Sequence, residues 1–392
     1  MKVQLGLERL VTEPDFIKLL NNKRLGLLAN PASVDSNLRH SRDVIASAFP
    51  GRLAALFAPQ HGFLAEKQDN MIESSDDSDP LLNIPVFSLY GPRQSPTKDM
   101  LDLIDALIID IQDVGTRVYT FASTMALCLK AARESGREVF VLDRPNPISG
   151  LQVEGNCLDP EYVSFVGMYP IPMRHGLTIG ELALLFNKHF KINAQLTIVP
   201  MKGWERAMCF EDTELTWVIP SPNLPSPNSA IVYPGQVIWE GTNVSEGRGA
   251  TLPFELFGAP FLSAAFLKKI SGDMELPGAR LRIAGFEPTS NKWQGSLCRG
   301  FQIHVTDRTA FKPYRTSLSL LQAIVTACQG DFAWKQPPYE YEHEKLPIDI
   351  ILGSRAVRDA IEAGEKIEDI ESGWAEGVDE FCKLREEYLL YR

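Results

Sequence analysis

A chain of 392 residues, 44% hydrophobic and 23% charged, has the composition of a folded globular protein and more length than one ordinary core organises, so two domains are expected. The formal net charge of −11 leaves no broad basic footprint for a polyanion, so no nucleic-acid partner is expected. No run approaches the ~18 uninterrupted apolar residues of a membrane span, and the start, MKVQLGLERLVTEPDF, lacks the basic-then-apolar pattern of an export leader, so the expected location is cytoplasmic and no membrane partner is expected.

In chain order, residues 24–29 (RLGLLA), 53–58 (LAALFA), 85–89, 106–111 (ALIIDI), 138–142 (EVFVL) and 196–199 read as short strands. Helical patterns at 41–49, 121–134 and 178–190 lie between them, and Thr178 three residues before Glu181 reads as a capping box opening the last. Val-, Ile- and Leu-rich strands alternating with helices predict an α/β fold with a mainly parallel, doubly covered sheet over residues 1–225. The stretch from Pro220 to Pro234 holds five prolines, which argues against a continuous helix and marks a crossing between domains. Beyond it, strands at 281–286 and 300–305 and helices at 315–328 and 374–389 predict a smaller α+β domain over 226–392. The acidic run Glu73–Asp79 reads as a solvated loop, and the six scattered cysteines, with no CxxC pair, as free thiols.

Four of the predicted strands end in polar turns marked by Gly or Pro. These are Asn30-Pro31, Pro59-Gln60-His61-Gly62, the stretch Asp110 to Arg117, and Asp143-Arg144-Pro145-Asn146-Pro147. In an open parallel sheet the carboxyl ends of the strands share one edge, where ligands bind, so four such turns predict one polar rim. Each residue also has a plainer reading: Asp143 and Asn146 building a turn around the prolines, Arg117 paired with Asp113, His61 a satisfied turn histidine. A second cluster, WEGTNVSEGRG, packs Trp239, Glu240, Thr242, Glu246 and Arg248 among glycines that allow close backbone approach to a ligand; its plainer reading is a surface hinge.

Several chemistries lack their signatures. There is no GxGxxG, no GxxxxGK[ST], no GxSxG and no HExxH, and the histidines have no metal-ligand spacing. What remains is Asp, Glu, Arg, Asn, Tyr and His, a set suited to cofactor-free acid–base work on a polar substrate such as a sugar.

The strings GLLANPASVD, the PxHGF turn, DIQDVGTRVYTF, VLDRPNPISG, PSPNLP, YPGxxxWEGTNVSEGRG, PFELFGAP and REEYLLYR together resemble the NamZ/YbbC-type exo-β-N-acetylmuramidases over nearly the whole chain. The resemblance implies a Rossmann-like first domain, a smaller second one, a cleft between them, and release of N-acetylmuramic acid from the non-reducing end of peptidoglycan fragments. Many relatives carry an export signal. The family's usual PEHG has a glutamate before the turn histidine, where this chain has Gln60, and an amide cannot transfer a proton at neutral pH.

The acid–base group is therefore expected at Glu66 or Glu240, with Asp110 or Asp143 as an orienting carboxylate and His61 tuning or binding. The lactyl carboxylate of muramic acid needs a cation, for which Arg117, Arg144 and Arg248 are the candidates. Tyr119 and Trp239 are candidates for stacking on the sugar, and Asn30, Gln60, Asn146, Thr242 and Glu246 for polar contacts. Three rival readings stand beside this one: a hydrolase of another amino sugar, a silent binder of cell-wall fragments, and a group-transfer enzyme using an activated sugar.

Overall fold

The computed structural model describes residues 2–69 and 71–392. The apolar runs of the first half form β1 (Leu25–Ala29), β2 (Leu53–Ala58), β3 (Asp77–Ser78), β4 (Pro85–Ser88), β5 (Ala106–Asp110) and β6 (Glu138–Leu142). A short antiparallel pair, β7 (Glu154–Cys157) and β8 (Pro172–Arg174), precedes β9 (Gln195–Val199). The main sheet runs β3-β4-β2-β1-β5-β6-β9, parallel throughout except where β3 meets β4.

β1 and β5 are buried along their whole length, which is why they read as unbroken apolar runs. Alternate side chains divide between the two faces. Leu28, Leu107, Ile109, Val139 and Val141 pack under helices Phe121–Glu134 and Ile179–Lys188. Leu27, Ile108, Phe140 and Leu142 face helices Gly6–Thr12 and Ser41–Ala48. The predicted capping box forms: Thr178 Oγ1 accepts from the Glu181 amide at 3.2 Å and Glu181 accepts from the Thr178 amide at 3.0 Å.

The proline-dense segment is not one continuous helix, as its prolines predict, but it is helical in part. Its second half is the helix Pro227–Gln236, because Pro227 sits in the first turn, where an amide hydrogen has no partner to lose, and Ser226 caps the start. Pro234 lies inside that helix near its end. Next come β10 (Leu256–Ala259), β11 (Ala279–Phe286) and β12 (Cys298–Val305), an antiparallel sheet ordered β10-β12-β11. The chain closes through helices Pro313–Ala327, Pro347–Leu352, Arg355–Ala363 and Ile367–Arg385. The last begins well before the expected Trp374, because Ile367 and Ile370 already bury one side of it. Apolar side chains of the main sheet's first face run without break onto Tyr314, Leu318, Ile348 and Phe381. Among the described residues, no helix is long and apolar enough to cross a membrane.

From β1 the chain moves to β2 and β4 on one side, then crosses to β5 on the other, so the carboxyl ends of β1 and β5 flank the switch point where ligands commonly bind. Asn30 Nδ2 donates to the Pro220 carbonyl at 3.2 Å, and Ser33 Oγ donates to the Asp110 carbonyl, which narrows that crevice to a small cavity beside Val34, Gln112 and Arg144. A second cavity lies beyond the end of β2.

Candidate active site

The turn after β2 is built on two left-handed residues, His61 (φ 77°) and Gly62 (φ 89°). A side chain at φ > 0 is disfavoured, and such strain is most often found where a side chain must be aimed. His61 lines a narrow pocket of about 40 Å³, together with Gln60, Tyr119, Thr120, Tyr233, Glu240, Arg248, Tyr339 and Glu340 among others. His61 Nδ1 donates to the Lys67 carbonyl at 2.8 Å, so its Nε2 carries the lone pair. Burial, and then the nearby Arg248 guanidinium, push its pKa down to about 4, and the ring is neutral.

The second strained turn comes from the other half of the chain. Glu340 (φ 45°) and Tyr341 (φ 69°) are the central residues of a tight hairpin closed by mutual Tyr339 and Glu342 backbone hydrogen bonds of 2.8 and 2.9 Å. Positive φ at both central positions is the signature of a type I′ turn, which normally selects Asn-Gly. This turn delivers the Glu340 carboxyl into the pocket. Gln60 Nε2 donates to one of its oxygens at 2.9 Å and the Tyr90 hydroxyl to the other at 2.8 Å. Thr120 Oγ1 donates to the Gln60 carbonyl oxygen at 2.7 Å, which fixes which end of the amide faces Glu340. Burial holds the Glu340 pKa up at about 7, against the pull of those two hydrogen bonds, with Glu240 adding to the rise.

Glu240 is held from two sides, by Arg248 Nη2 at 2.7 Å and the Tyr339 hydroxyl at 2.8 Å. Arg248 Nε lies 3.4 Å from Glu246, whose other oxygen takes Lys292 Nζ at 2.9 Å. Arg248 is 7% exposed and lies over the Phe254 ring, yet its Nη1 is buried with no hydrogen-bond partner. It is a buried charged donor without a protein acceptor.

Of the residues singled out in the sequence, Gln60, His61, Tyr119, Glu240 and Arg248 line this pocket, and Glu246 stands behind Arg248. The others lie elsewhere, each for a physical reason. Glu66 is exposed and folds back on its own loop, accepting from the Leu64 amide at 3.2 Å and lining a different cavity beside Phe63 and Ser74. Asp110 and Arg144 neutralise each other in a buried pair with bonds of 2.6 and 2.8 Å. Asp143 caps the Ile179–Lys188 helix, taking Thr178 Oγ1 and the Gly180 amide at 2.8 Å each and the Tyr391 hydroxyl at 2.5 Å. Burial holds its pKa up at about 7.

Arg117 is buried on backbone carbonyls of Asn156, Ile171, Ile351 and Leu352, tying both halves together rather than facing a ligand or pairing with Asp113. Asn146 builds its own turn, accepting from the Ile148 amide and donating to the Leu177 carbonyl. Asn30 is engaged by Pro220 and Ser33. Trp239 is fully buried and stacked on Phe257 at 4.9 Å, so no sugar reaches its face. Thr242 ends the short helix Val237–Gly241 by donating to the Trp239 carbonyl.

Sequence reading missed Glu340, Tyr339, Tyr90 and Lys292. The run Tyr339-Glu340-Tyr341-Glu342 has neither glycine nor asparagine, so nothing in its composition announces a tight turn, and Gln60 lies 280 positions away.

Two family models match the chain, described as the N-terminal and C-terminal parts of exo-beta-N-acetylmuramidase NamZ, over residues 25–228 and 231–391. The peptidoglycan beta-N-acetylmuramidase NamZ of Bacillus subtilis (strain 168) is 45% identical over 390 residues, covering 100% of this chain and 92% of that protein. Crystal structures of two DUF1343 family proteins from Bacteroides fragilis NCTC 9343 share the fold. One has a TM-score of 0.89 at 34% identity and the other 0.76 at 28%, each alignment covering 100% of this chain and 99% of the other.

Proposed function

The chain belongs to the NamZ family of exo-β-N-acetylmuramidases, and from that membership we propose that it is a glycosidase releasing N-acetylmuramic acid from the non-reducing end of peptidoglycan fragments during wall turnover. Residues 1–225 and 226–392 then act as two domains that each supply one side of the site. The observation that carries the mechanism is Glu340, a buried carboxyl held up at about 7 in a pocket shared with Glu240.

A general acid must hold its proton near neutral pH and surrender it to the glycosidic oxygen as the C1–O bond breaks. Glu340 meets both demands. Burial keeps it protonated in the resting enzyme, and the Gln60 amide and Tyr90 hydroxyl, both donors, stabilise the carboxylate left behind. Positive charge then develops at C1, where the acetamido oxygen of the same sugar closes on it as the leaving sugar departs with the proton; water then attacks C1, opens that ring to free N-acetylmuramic acid and returns a proton to Glu340. Glu240, fixed by Arg248 and Tyr339, is the carboxylate that orients and polarises the acetamido group, and neutral His61 offers its Nε2 lone pair to a sugar hydroxyl or N–H. Of the three arginines only Arg248 lines this pocket, and beside its bonds to Glu240 and Glu246 it keeps Nη1 without a protein partner, which makes it the cation assigned to the lactyl carboxylate.

The test is Glu340→Gln, assayed for release of N-acetylmuramic acid from a muramyl-glucosaminide. The amide keeps the shape and loses the proton, so turnover falls by about 10²–10⁴-fold while substrate binding persists. Wild-type turnover in the variant would remove Glu340 as the acid.

A further inference from the structure

The acid-bearing turn presents one side chain inward and a neighbouring one at the surface. Tyr341, directly after Glu340, is 39% exposed. Its ring packs against Tyr90 at 5.4 Å and edge-on against Phe165 at 5.5 Å, and Phe165 lies 6.0 Å from Tyr90. Tyr90 is the residue whose hydroxyl touches Glu340. Phe165 is itself half-exposed and precedes Val166, which lines the pocket. Exposed Met71 joins this rim, its sulfur 3.5 Å from the Glu340 amide. Within one ring's reach of the acid there is thus an apolar patch of one exposed and one partly exposed aromatic ring.

We propose that Phe165 and Tyr341 form the subsite for the leaving-group sugar, stacking on the apolar face of the hexosamine ring beyond the scissile bond. The proposal rests on the reading of Glu340 as the acid. The glycosidic oxygen must lie against that carboxyl to receive its proton. The ring attached to the oxygen projects past Glu340, which Gln60 closes on one side, while on the other stands buried Tyr90 with Tyr341 and Phe165 packed on its outer side. Aromatic faces recognise a pyranose through its C–H-rich side while leaving its hydroxyls in water, which suits a subsite that must release its sugar after each turnover. The occupant proposed is a sugar ring and not the peptide stem of a wall fragment, because the side chains that make the patch are aromatic rings and a thioether.

The experiment compares two substrates, a β-1,4-linked muramyl-glucosaminide and the methyl β-glycoside of N-acetylmuramic acid, whose aglycone has no ring. The variants are Phe165→Ala and Tyr341→Asn, asparagine being chosen because it tolerates the left-handed backbone at position 341. The ratio of kcat/KM for the disaccharide to that for the methyl glycoside falls by about tenfold in each variant, the size of one stacking contact, with the loss on the disaccharide carried mainly by KM. A ratio equal to wild type in both variants overturns the subsite. A variant selectively impaired on substrates bearing a peptide stem, with the disaccharide ratio intact, overturns it in favour of a peptide occupant. A wild-type enzyme inert on both glycosides overturns the muramidase reading, and the subsite with it.

Discussion

Replacing Gln60 by Glu tests the electrostatics of the site directly. In the native pocket the amide nitrogen lies 2.9 Å from a Glu340 oxygen, and Thr120 fixes the amide's other end. A glutamate there keeps the Thr120 hydrogen bond but turns a donor toward Glu340 into a second carboxyl oxygen. Two carboxylate charges about 4 Å apart at an effective dielectric of about 20 repel by about 4 kcal/mol. At 1.36 kcal/mol per pH unit this raises the second ionisation of the pair by up to about 3 units. The assay is kcat/KM on the disaccharide from about pH 5 to pH 10. In the wild type, activity is lost as pH rises through about 7, because the acid must be protonated and its pKa is held near that value. In Gln60→Glu the pair shares one proton to higher pH, and the alkaline limb moves up by one unit or more. A limb that stays in place, with the variant still active, would refute the argument that Glu340 supplies the proton.

Glu66→Gln leaves kcat within about twofold of wild type on the same substrate, because that carboxyl is exposed and bonded to its own loop. Arg248→Lys keeps a positive charge but loses the planar fork, so the preference for muramyl over glucosaminyl glycosides falls by about tenfold or more, read from paired kcat/KM values. Stability also depends on Glu340. Its folded pKa of about 7 lies above the ordinary 4.5, so its contribution is full below about pH 4.5 and is lost as pH rises through 7, a difference of about 3 kcal/mol. Urea unfolding of wild type and Glu340→Gln at about pH 5 and pH 8 reads this, and the variant shows the smaller loss; equal losses would contradict the raised pKa.

The centre of the sheet was legible because its strands are buried on both faces and carry their signal locally. The runs at 25–29 and 106–110 needed no information from elsewhere in the chain to be recognised. Half of the pocket was legible for the same reason. Gln60 and His61 sit in a turn whose Gly and Pro announce it, and Glu240 and Arg248 sit among glycines. The polar residues that went astray, Asp110, Asp143, Arg144 and Asn146, do end strands on the expected edge. What sequence could not supply is who satisfies them. Asp110 and Arg144 found each other, and Asp143 found a helix N-terminus and a tyrosine from the far end of the chain. Glu340 was invisible for the complementary reason, since its partners are Gln60 and Tyr90, and its turn is held by contacts rather than by composition.

The bond from Tyr391 to Asp143 spans 248 positions and closes the structure in a particular order in time. Translation at about 5–20 residues per second puts roughly ten to forty seconds between the synthesis of β9, which ends at Val199, and that of Tyr391. Through that interval the nascent sheet holds Asp143 without its hydroxyl donor and Glu181 without the Leu390 amide, two buried carboxyls waiting on the same tail. The pocket waits as well, because Gln60 and Tyr90 are made early and Glu340 late. A chain that ends before Glu340 is therefore a sheet without the carboxyl proposed as its acid, and the pocket is complete only once that turn meets Gln60 and Tyr90.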